Sequence, residues 1–319
     1  MLITVVMVLT YIACCVRIGT APWRYFQLNA HYFSDEAGIY SKLSLDRLIP
    51  ERWRLPQSVD DGAFTPPRFP VFLKPEWGQN AHGIHRADDA RELADLRARV
   101  ATEPQRYLLQ EAAPGAREYE IFGIDADRRD RRHDVLTVTE AVNTRERFPI
   151  NSKYNRDTRY VDISEELGNA ARRRLADYLS EMGRFGITRV SVRADSREAL
   201  VEGRFHVIEI NLFLPMPINL LDERYTVRER WRFIRRAMMA LARSTRLIEP
   251  VARQRAIFTR MMFYGSRWPT GLAEFLERTR EGVLGRLPRR AVATRGPRTG
   301  GKRGVRGHVP SRVPGRTDP

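Results

Sequence analysis

The chain has 319 residues, of which 42% are hydrophobic and 9% aromatic, so it can bury a core in one large or two modest domains. The formal net charge of +16 favours an anionic partner, such as a phosphorylated ligand or an anionic membrane surface. Much of this charge lies from Arg286 onwards, on a tail with one acidic residue, Asp318, so we predict no specific nucleic-acid partner. Cys14 and Cys15 are adjacent and form neither a disulfide framework nor a zinc-type spacing. The composition leaves the oligomeric state open.

The first sixteen residues, MLITVVMVLTYIACCV, contain no charged side chain. The run is shorter than the ~20 residues that span a bilayer, and no Lys or Arg precedes it, unlike in a signal peptide. Arg17 and Arg24 follow, and the positive-inside rule would then keep the downstream chain in the cytoplasm. Two interpretations stay open: residues 1–16 anchor a cytoplasmic domain at the inner membrane, or they form a buried helix or strand.

Hydrophobic periodicity predicts an α+β chain in which some strands pair as hairpins. The predicted strands are residues 69–73, 107–111, 118–125, 135–142, 187–195 and 205–211. The predicted helices are a short one in LSLDRLIP, an amphipathic one over 87–101, a long one over 164–184, and two or three basic ones over 222–285. We expect Ser164 to cap the long helix, because Glu165 and Glu166 follow it in the first turn.

These patterns divide the chain into five parts. They are an apolar segment (1–20), a short N-terminal region (21–68), an α+β domain (69–221), a helical extension (222–285) and a basic tail (286–319). The tail consists largely of Gly, Pro and Arg, and we expect it to be disordered because it has too few apolar residues to form a core.

Two segments of the α+β domain suit a nucleoside triphosphate. Lys74 ends the strand of FPVFLKP and precedes a loop with Gly78 and Gly83, which places an ammonium group beside backbone that can cover phosphates. The strand–turn–strand YLLQEAAPGAREYEIFGI can line an adenine with backbone groups, and Glu118 suits a ribose hydroxyl. Taken alone, the first pattern is also typical of a surface lysine on a loop, and the second is also typical of an ordinary hairpin.

The strand FHVIEIN carries Glu209 and Asn211 two positions apart, so their side chains point to the same face. Two neighbouring oxygen ligands suit a divalent cation such as Mg²⁺ that bridges phosphates; a polar strand end without a ligand is the alternative. His82 and His85 lie in the predicted phosphate loop, where an imidazole can hydrogen-bond a phosphate. A two-histidine metal site is the less favoured interpretation of that pair.

The ordered set FPVFLKP with its glycine loop, LLQE…REYEIFGI, NSKYN, TRV and VIEIN resembles the ATP-grasp fold. Within that superfamily it is most similar to the D-alanine–D-alanine ligases and related carboxylate–amine ligases, over roughly residues 40–217. The resemblance implies two α+β subdomains that grip ATP, with Mg²⁺ as the metal. It also implies an ADP-forming enzyme that joins a small carboxylate to an amine through an acyl phosphate. The alternative is a nucleotide-binding pseudoenzyme or a membrane-associated module without turnover.

The resemblance also implies a role for each matching residue. Lys74 would contact the α-phosphate side and adenine, and Glu118 would hold the ribose. The hinge against adenine would consist of Gln110, Glu111 and the backbone of Ala112 and Ala113. Lys153, in SKYN, would close over the phosphates and take part in catalysis. The implied ATP-binding set is Lys42, Lys74, Gln110, Glu111, Ala112, Ala113, Glu118 and Lys153.

For catalysis and metal binding, the resemblance assigns Arg189 to the acyl-phosphate and tetrahedral stages, and Glu209 and Asn211 to the metal. The sequence departs from the family pattern at Ser191, where a metal-binding aspartate is expected, and Asp195 is the carboxylate on the same strand that could replace it. The family's Pro-Gly-Met turn appears as Leu-Pro-Met at residues 214–216. The family's N-terminal substrate domain is replaced by about forty residues and the apolar run. These departures argue against D-alanyl-D-alanine as the product.

Overall fold

The computed structural model describes residues 2–35, 37–78, 81–125, 133–151, 155–248 and 257. Four sequence predictions lie wholly or partly outside these ranges: the phosphate loop at residues 79 and 80, the catalytic role of Lys153, the helices predicted beyond residue 248, and the disordered tail.

The described residues form helices and strands in mixed order, which confirms the predicted α+β class. The helices are α1 (Leu2–Arg17), α2 (Lys42–Asp46), α3 (Ala90–Val100), α4 (Gly168–Met182), α5 (Arg197–Val201) and α6 (Val227–Arg246). The strands are β1 (Gln57–Val59), β2 (Val71–Pro75), β3 (His85–Ala87), β4 (Tyr107–Glu111), β5 (Arg117–Ile124), β6 (Val135–Asn143), β7 (Thr158–Asp162), β8 (Ile187–Ala194) and β9 (Phe205–Asn211). Short 3-10 helices cover Pro22–Gln27, Ala30–Tyr32, Glu51–Trp53 and Ile218–Leu221.

The smaller sheet is antiparallel, with the strand order β1-β4-β2-β3. Helix α3 covers one face because its apolar positions recur at helical spacing, and Leu93 and Leu96 pack against Val71 and Leu73 of β2. The Asp89 side chain caps this helix by accepting a hydrogen bond of 2.8 Å from the Glu92 N–H. From this sheet, Lys74 and Gln110 reach the Ile208 carbonyl of β9.

The larger sheet is also antiparallel, in the order β7-β6-β5-β8-β9. Alternation along β5 gives it one apolar face and one face that is polar at Glu118 and Glu120 and apolar at Phe122 and Ile124. Tyr119 and Ile121 point into the main core, which also holds Leu175 and Leu179 of α4. Glu118 and Glu120, at the alternate positions of β5, point to the opposite face. This polar face positions the candidate site.

Helix α4 begins at Gly168, four residues after the predicted start. The prediction that Ser164 caps it was wrong, since its Oγ instead accepts a hydrogen bond of 2.8 Å from the Val138 N–H of β6. The N-cap position is Leu167, which makes no capping bond through its side chain. The acidic pair after Ser164 therefore belongs to the turn that leads into the helix.

The apolar segment forms α1, which packs against α6. Tyr11, Cys14 and Cys15 are buried in a cluster with Phe233 and Ala237 of α6, and both cysteines are free thiols. One face of the segment thus packs within the folded domain, while the other face is exposed. Within the described ranges, no helix is both long enough and apolar enough to cross a membrane.

Candidate functional site

Two buried lysines meet a carboxylate in the cleft between the two sheets. Lys42, at the start of α2, has its Nζ 3.9 Å from the Glu209 Oε1 and donates a hydrogen bond of 3.1 Å to the Pro75 carbonyl. The Lys74 Nζ reaches the Ile208 carbonyl of β9 at 3.5 Å. Asp46 of α2 lines the same cleft. The cleft therefore gathers charged groups from both sheets and from α2.

Burial changes the protonation of these lysines. It lowers the pKa of Lys74 to about 7, an effect that Glu209 and Asp46 partly offset and that the neighbouring charge of Lys42 increases. The pKa of Lys42 is also lowered by burial, against the attraction of Glu209 and Glu76. Desolvation therefore outweighs the attraction of three nearby carboxylates, Glu76, Asp46 and Glu209. An anionic ligand in the cleft would favour the charged form of both lysines.

A row of polar side chains crosses the larger sheet beside these lysines. Ser191 of β8 pairs with Glu120 of β5 on one side and with Glu209 of β9 on the other. Neighbouring strands lie about 4.8 Å apart, so the Cα atoms of the two glutamates are separated by roughly 10 Å and their side chains extend over the same face. The Ser191 Oγ hydrogen-bonds both carboxylate oxygens of Glu120, at 3.0 and 2.9 Å.

Glu120 was not among the predicted site residues. Burial raises its pKa, while Arg189 and Ser191 lower it and Glu209 raises it further, so it interacts electrostatically with the predicted metal ligand. In the sequence the signal is weak, because REYEIFGI reads as an alternating strand whose two acidic positions are equivalent. Only the pairing of β5 with β8 reveals that Glu120 lies opposite Ser191.

Arg189 and Asn211 continue the polar face in the next row, where they pair across β8 and β9. The Arg189 Nε lies 3.1 Å from the Glu120 Oε2, and its NH1 donates to the Met216 carbonyl at 3.4 Å. Arg189 therefore links the carboxylate row to the Leu-Pro-Met turn. In that turn Leu214 has a φ of 48°, a left-handed conformation that costs a non-glycine residue roughly 1–2 kcal/mol.

The structure does not bring Asp195 to the metal pair. Asp195 follows the last residue of β8 and is exposed, and its charge acts on His206. It lies four positions beyond Ser191, the residue that pairs with Glu209. The carboxylate that lies beside Ser191 is Glu120 of the neighbouring strand, and not Asp195 of the same strand.

The predicted hinge lies where the smaller sheet joins the larger one. The Gln110 Nε2 donates a hydrogen bond of 3.2 Å to the Ile208 carbonyl, the same group that Lys74 approaches. The Glu111 N–H bonds the Pro56 carbonyl, and the Ala112 N–H bonds the Pro70 carbonyl at 3.2 Å. Both N–H groups are therefore already hydrogen-bonded within the chain. An adenine would have to contact the backbone carbonyl groups of this link and the buried Ala113.

Glu118 lies on the same face as Glu120, two positions before it on β5. Burial raises its pKa to about 7, although a hydrogen bond from Asn151 and the charge of Arg193 lower it. Arg193, which pairs with Glu118 across the strands, donates hydrogen bonds of 2.9 Å to the carbonyls of Gly115 and Arg147. Glu118, the residue predicted to bind the ribose, thus lies on the polar face next to the guanidinium group of Arg193, which backbone carbonyls hold in place.

The link between the sheets approaches β8 closely at Gly115. This residue has a φ of +116°, and a Cβ added to it would lie 2.9 Å from the backbone of Ala194. Any other residue would push the link away from β8 and would shift Arg193, which holds the Gly115 carbonyl. The glycine in the APGAR turn is therefore required by packing.

The predicted phosphate loop is described in part, at Gly78 and from Ala81 onwards. A Cβ added to Gly78 would lie 3.2 Å from the His82 carbonyl and 3.9 Å from the Lys42 Nζ, so the loop backbone passes over Lys42. His85 lies on β3, and burial lowers its pKa. No group of three or more His, Cys, Asp or Glu side chains that could hold a metal occurs among the described residues, so a cation here would need amide or hydroxyl ligands beside its carboxylates.

Comparison with solved structures finds similarity to ligases. The chain is similar to an L-amino acid ligase from Bacillus licheniformis (16% identity, TM-score 0.38, 54% of this chain and 40% of that chain). It is also similar to the D-Ala:D-Ser ligase VanG from Enterococcus faecalis (13% identity, TM-score 0.42, 63% and 61%). A third similar structure is the D-alanine–D-alanine ligase from Bacillus anthracis complexed with ATP (15% identity, TM-score 0.42, 65% and 67%).

This chain spans between 40% and 67% of the length of those three structures. No protein-family model and no curated protein sequence matches it. All three TM-scores are below 0.5.

Proposed function

We propose that the chain binds ATP and Mg²⁺ in the cleft between its two sheets and joins a carboxylate to an amine. The observation that carries the proposal is the convergence of Lys42 and Lys74 with the Glu120–Ser191–Glu209 row. Cations from one side and carboxylates from the other are the arrangement that a metal-bound triphosphate requires. A cleft for a neutral ligand would not need two buried ammonium groups.

The chain's own groups suit the parts of a nucleotide. Lys42 and Lys74 would pair with phosphate oxygens, and the loop that passes over Lys42 would cover them. Glu118, with its pKa near 7, can accept or donate a hydrogen bond at a ribose hydroxyl. Gln110 and the link to Ala113 border the space where an adenine would enter.

The oxygen ligands of the polar face fit Mg²⁺. Glu209 is partly exposed, with 28% of its side-chain surface open, and Glu120 and Asn211 extend over the same face as Glu209. Carboxylate and amide oxygens are the ligands this cation prefers. When bound there, Mg²⁺ would neutralise phosphate charge, and two carboxylates plus an amide would leave it other positions for phosphate oxygens.

Arg189 is the residue best placed to hold a reacting carboxyl group. Its guanidinium lies beside Glu120 and the Met216 carbonyl, at the edge of the polar face. ATP would supply the phosphoryl group that converts the carboxylate to an acyl phosphate, which the amine then attacks with loss of phosphate. Arg189 would stabilise the developing negative charge on oxygen, and the mechanism needs no covalent nucleophile from the protein.

A calorimetric titration with ATP and Mg²⁺ tests the nucleotide site, with paired variants as controls. Lys74→Met should weaken ATP binding by roughly 1.5–3 kcal/mol, the range for a charge-assisted hydrogen bond. Arg91→Met removes an exposed cation of α3 and should leave the affinity unchanged. Glu209→Gln should raise the Mg²⁺ concentration required, whereas Glu202→Gln, an exposed carboxylate next to α5, should not. Equal effects within either pair would refute the assignment of the cleft.

A second candidate function is nucleotide binding without turnover. The supporting observation is that Arg189 is already paired with Glu120, which Ser191 also holds through both carboxylate oxygens. ADP release measured with mixtures of amino acids as carboxylate and amine donors separates the two functions. Stimulated ADP release supports the ligase. ATP binding with no ADP release in any mixture supports the binding module.

A further inference from the structure

The exposed side of α1 carries a continuous apolar stripe. Leu2, Val5, Leu9, Ile12 and Val16 recur at intervals of three and four residues, which places them on one side of the helix. Leu9 is 61% exposed and Val16 is 71% exposed. The opposite side of α1, with Tyr11, Cys14 and Cys15, packs against α6. The stripe is therefore open although the rest of the helix is built into the domain.

The exposed side of α6 carries arginines. They are Arg228, Arg232, Arg235, Arg236, Arg243 and Arg246. None of the six takes part in a salt bridge with another residue in the described part of the chain, and the only acidic residue of α6 is Glu229, in its first turn. Trp231 lies among them and is 49% exposed. Buried apolar positions on the inner side fix this orientation of the helix.

The helices that carry the apolar stripe and the arginine row contact each other directly. The Tyr11 hydroxyl of α1 lies 3.0 Å from the Thr245 Oγ1 of α6. Burial raises the pKa of the Cys14 thiol, and the charges of Arg17 and Arg235 partly offset this rise. Both arginines therefore lie near the same turn of α1. Two helices in direct contact therefore expose an apolar stripe on one and a row of arginines on the other.

We infer that the α1 stripe and the α6 arginine row form a docking surface for an anionic lipid bilayer, on which α1 lies in the plane of the interface. The surface goes beyond the nucleotide cleft and does not depend on the reaction there. Interfacial helices combine an apolar face, which enters the headgroup region, with flanking Lys or Arg that pair with anionic lipid, and Trp at the boundary. A second copy of the chain fits this surface less well, because its arginine row would face that of the first copy.

Cosedimentation of the full chain with vesicles tests the surface. The probes are vesicles of phosphatidylcholine alone and vesicles with about one third phosphatidylserine, at low and high salt. We expect binding to the anionic vesicles, weak binding to the neutral ones, and loss of binding at high salt. Leu9→Glu should lower the partition coefficient at least about tenfold, since an apolar side chain leaves the bilayer and a charge replaces it.

The double variant Arg232→Gln, Arg235→Gln should lower binding roughly 25-fold, because each cation near the surface contributes a factor of about five. The matched controls are Phe64→Glu, another exposed apolar residue, and Arg173→Gln with Arg174→Gln on the exposed side of α4; both should bind like the original chain. If Leu9→Glu does not fold, the arginine pair still decides. The inference is overturned if the chain binds neutral and anionic vesicles equally. It is also overturned if the α6 double variant binds as well as the α4 double variant. A chain that ignores vesicles but dimerises in sedimentation velocity through Leu9 overturns it too, since the occupant is then a second copy.

Discussion

ATP binding at pH 8 should be accompanied by uptake of close to one proton, with Lys74 as the acceptor. Burial lowers the pKa of Lys74 to about 7 in the ligand-free chain, so only about one tenth of the molecules carry the proton at pH 8. A phosphate group beside the Nζ should return its pKa toward the ordinary value of about 10.4. The expected uptake is the difference, roughly 0.9 proton per ATP.

The sign of the effect defines a pH window. Below pH 7 the free chain already holds the proton, so uptake should vanish toward pH 6. Between pH 7 and about 10 the affinity should fall by roughly tenfold per pH unit, or about 1.4 kcal/mol, because a proton must be added on binding. Calorimetry in Tris, HEPES and tricine measures the uptake directly, as the slope of the observed enthalpy against the ionisation enthalpy of the buffer.

ATP and Mg²⁺ exchange protons of their own, so the informative quantity is the difference between two chains. Lys74→Met should lower the uptake at pH 8 by about 0.9 proton, whereas Arg91→Met should leave it unchanged. An uptake that Lys74→Met does not change would show that Lys74 does not face the phosphates. That result would remove the lysine pair from the argument for a nucleotide cleft.

Three further predictions follow from other contacts. Ser191→Asp puts a third carboxylate between Glu120 and Glu209 and should lower the Mg²⁺ concentration at which ATP affinity is half-maximal, while Ser191→Asn should not; a poorer Mg²⁺ response of the Asp variant would contradict the metal site. Glu118→Gln should stabilise the ligand-free chain against urea unfolding by about 3 kcal/mol at pH 8 and by nothing near pH 4. The reason is that a pKa of about 7, above the unfolded value, makes stability fall as pH rises through that range; equal effects at both pH values would exclude this cause. Asn29→Ala should lower the free energy of unfolding by roughly 2–4 kcal/mol, because the buried amide hydrogen-bonds the Ile187 and Leu212 carbonyls and the Gly186 N–H. The exposed Asn169→Ala should lower it little, and equal losses in the two variants would refute this prediction.

The sequence predicts the long strands and misses the short ones. The strands β5, β6, β8 and β9 have seven to nine residues and alternate clearly, so their positions are predicted to within one or two residues. The three-residue strands β1 and β3 are too short to show a period, and β7 follows a polar stretch. Their place in the sheets depends on partners that are far away in the chain.

Ser164 shows how a local motif can be overridden. A serine followed by two glutamates is a typical helix start, but the hydroxyl instead accepts a hydrogen bond from the Val138 N–H within β6. The backbone then needs four more residues to enter α4. A capping motif predicts a helix nearby but not its first residue, because the serine competes for bonds in the whole fold.

In the site, the sequence identifies groups that share a strand and not those that meet across strands. Glu209 and Asn211 are visible because they lie two positions apart on β9. Lys74 is visible from its place at a strand end before a glycine loop, whereas Lys42, 32 positions earlier, is visible only through motif resemblance. Their shared cleft depends on α2, whose residue Lys42 binds the carbonyl of Pro75, the residue directly after Lys74.

Glu120 and Ser191 together explain why a departure within one motif need not remove a metal site. Opposed residues on adjacent antiparallel strands have side chains within about 5.5 Å of each other on the same face, so a carboxylate on β5 can serve almost the same space as one on β8. Ser191 then becomes a hydrogen-bond donor that orients Glu120, at 2.9 and 3.0 Å. The sequence of β8 alone shows only that Ser191 stands where the family pattern has an aspartate. If this exchange is functional, Glu120→Gln should impair the Mg²⁺ response in the original chain, and Ser191→Asp should restore it in the double variant. A double variant as impaired as Glu120→Gln alone would show that the two positions do not serve one cation.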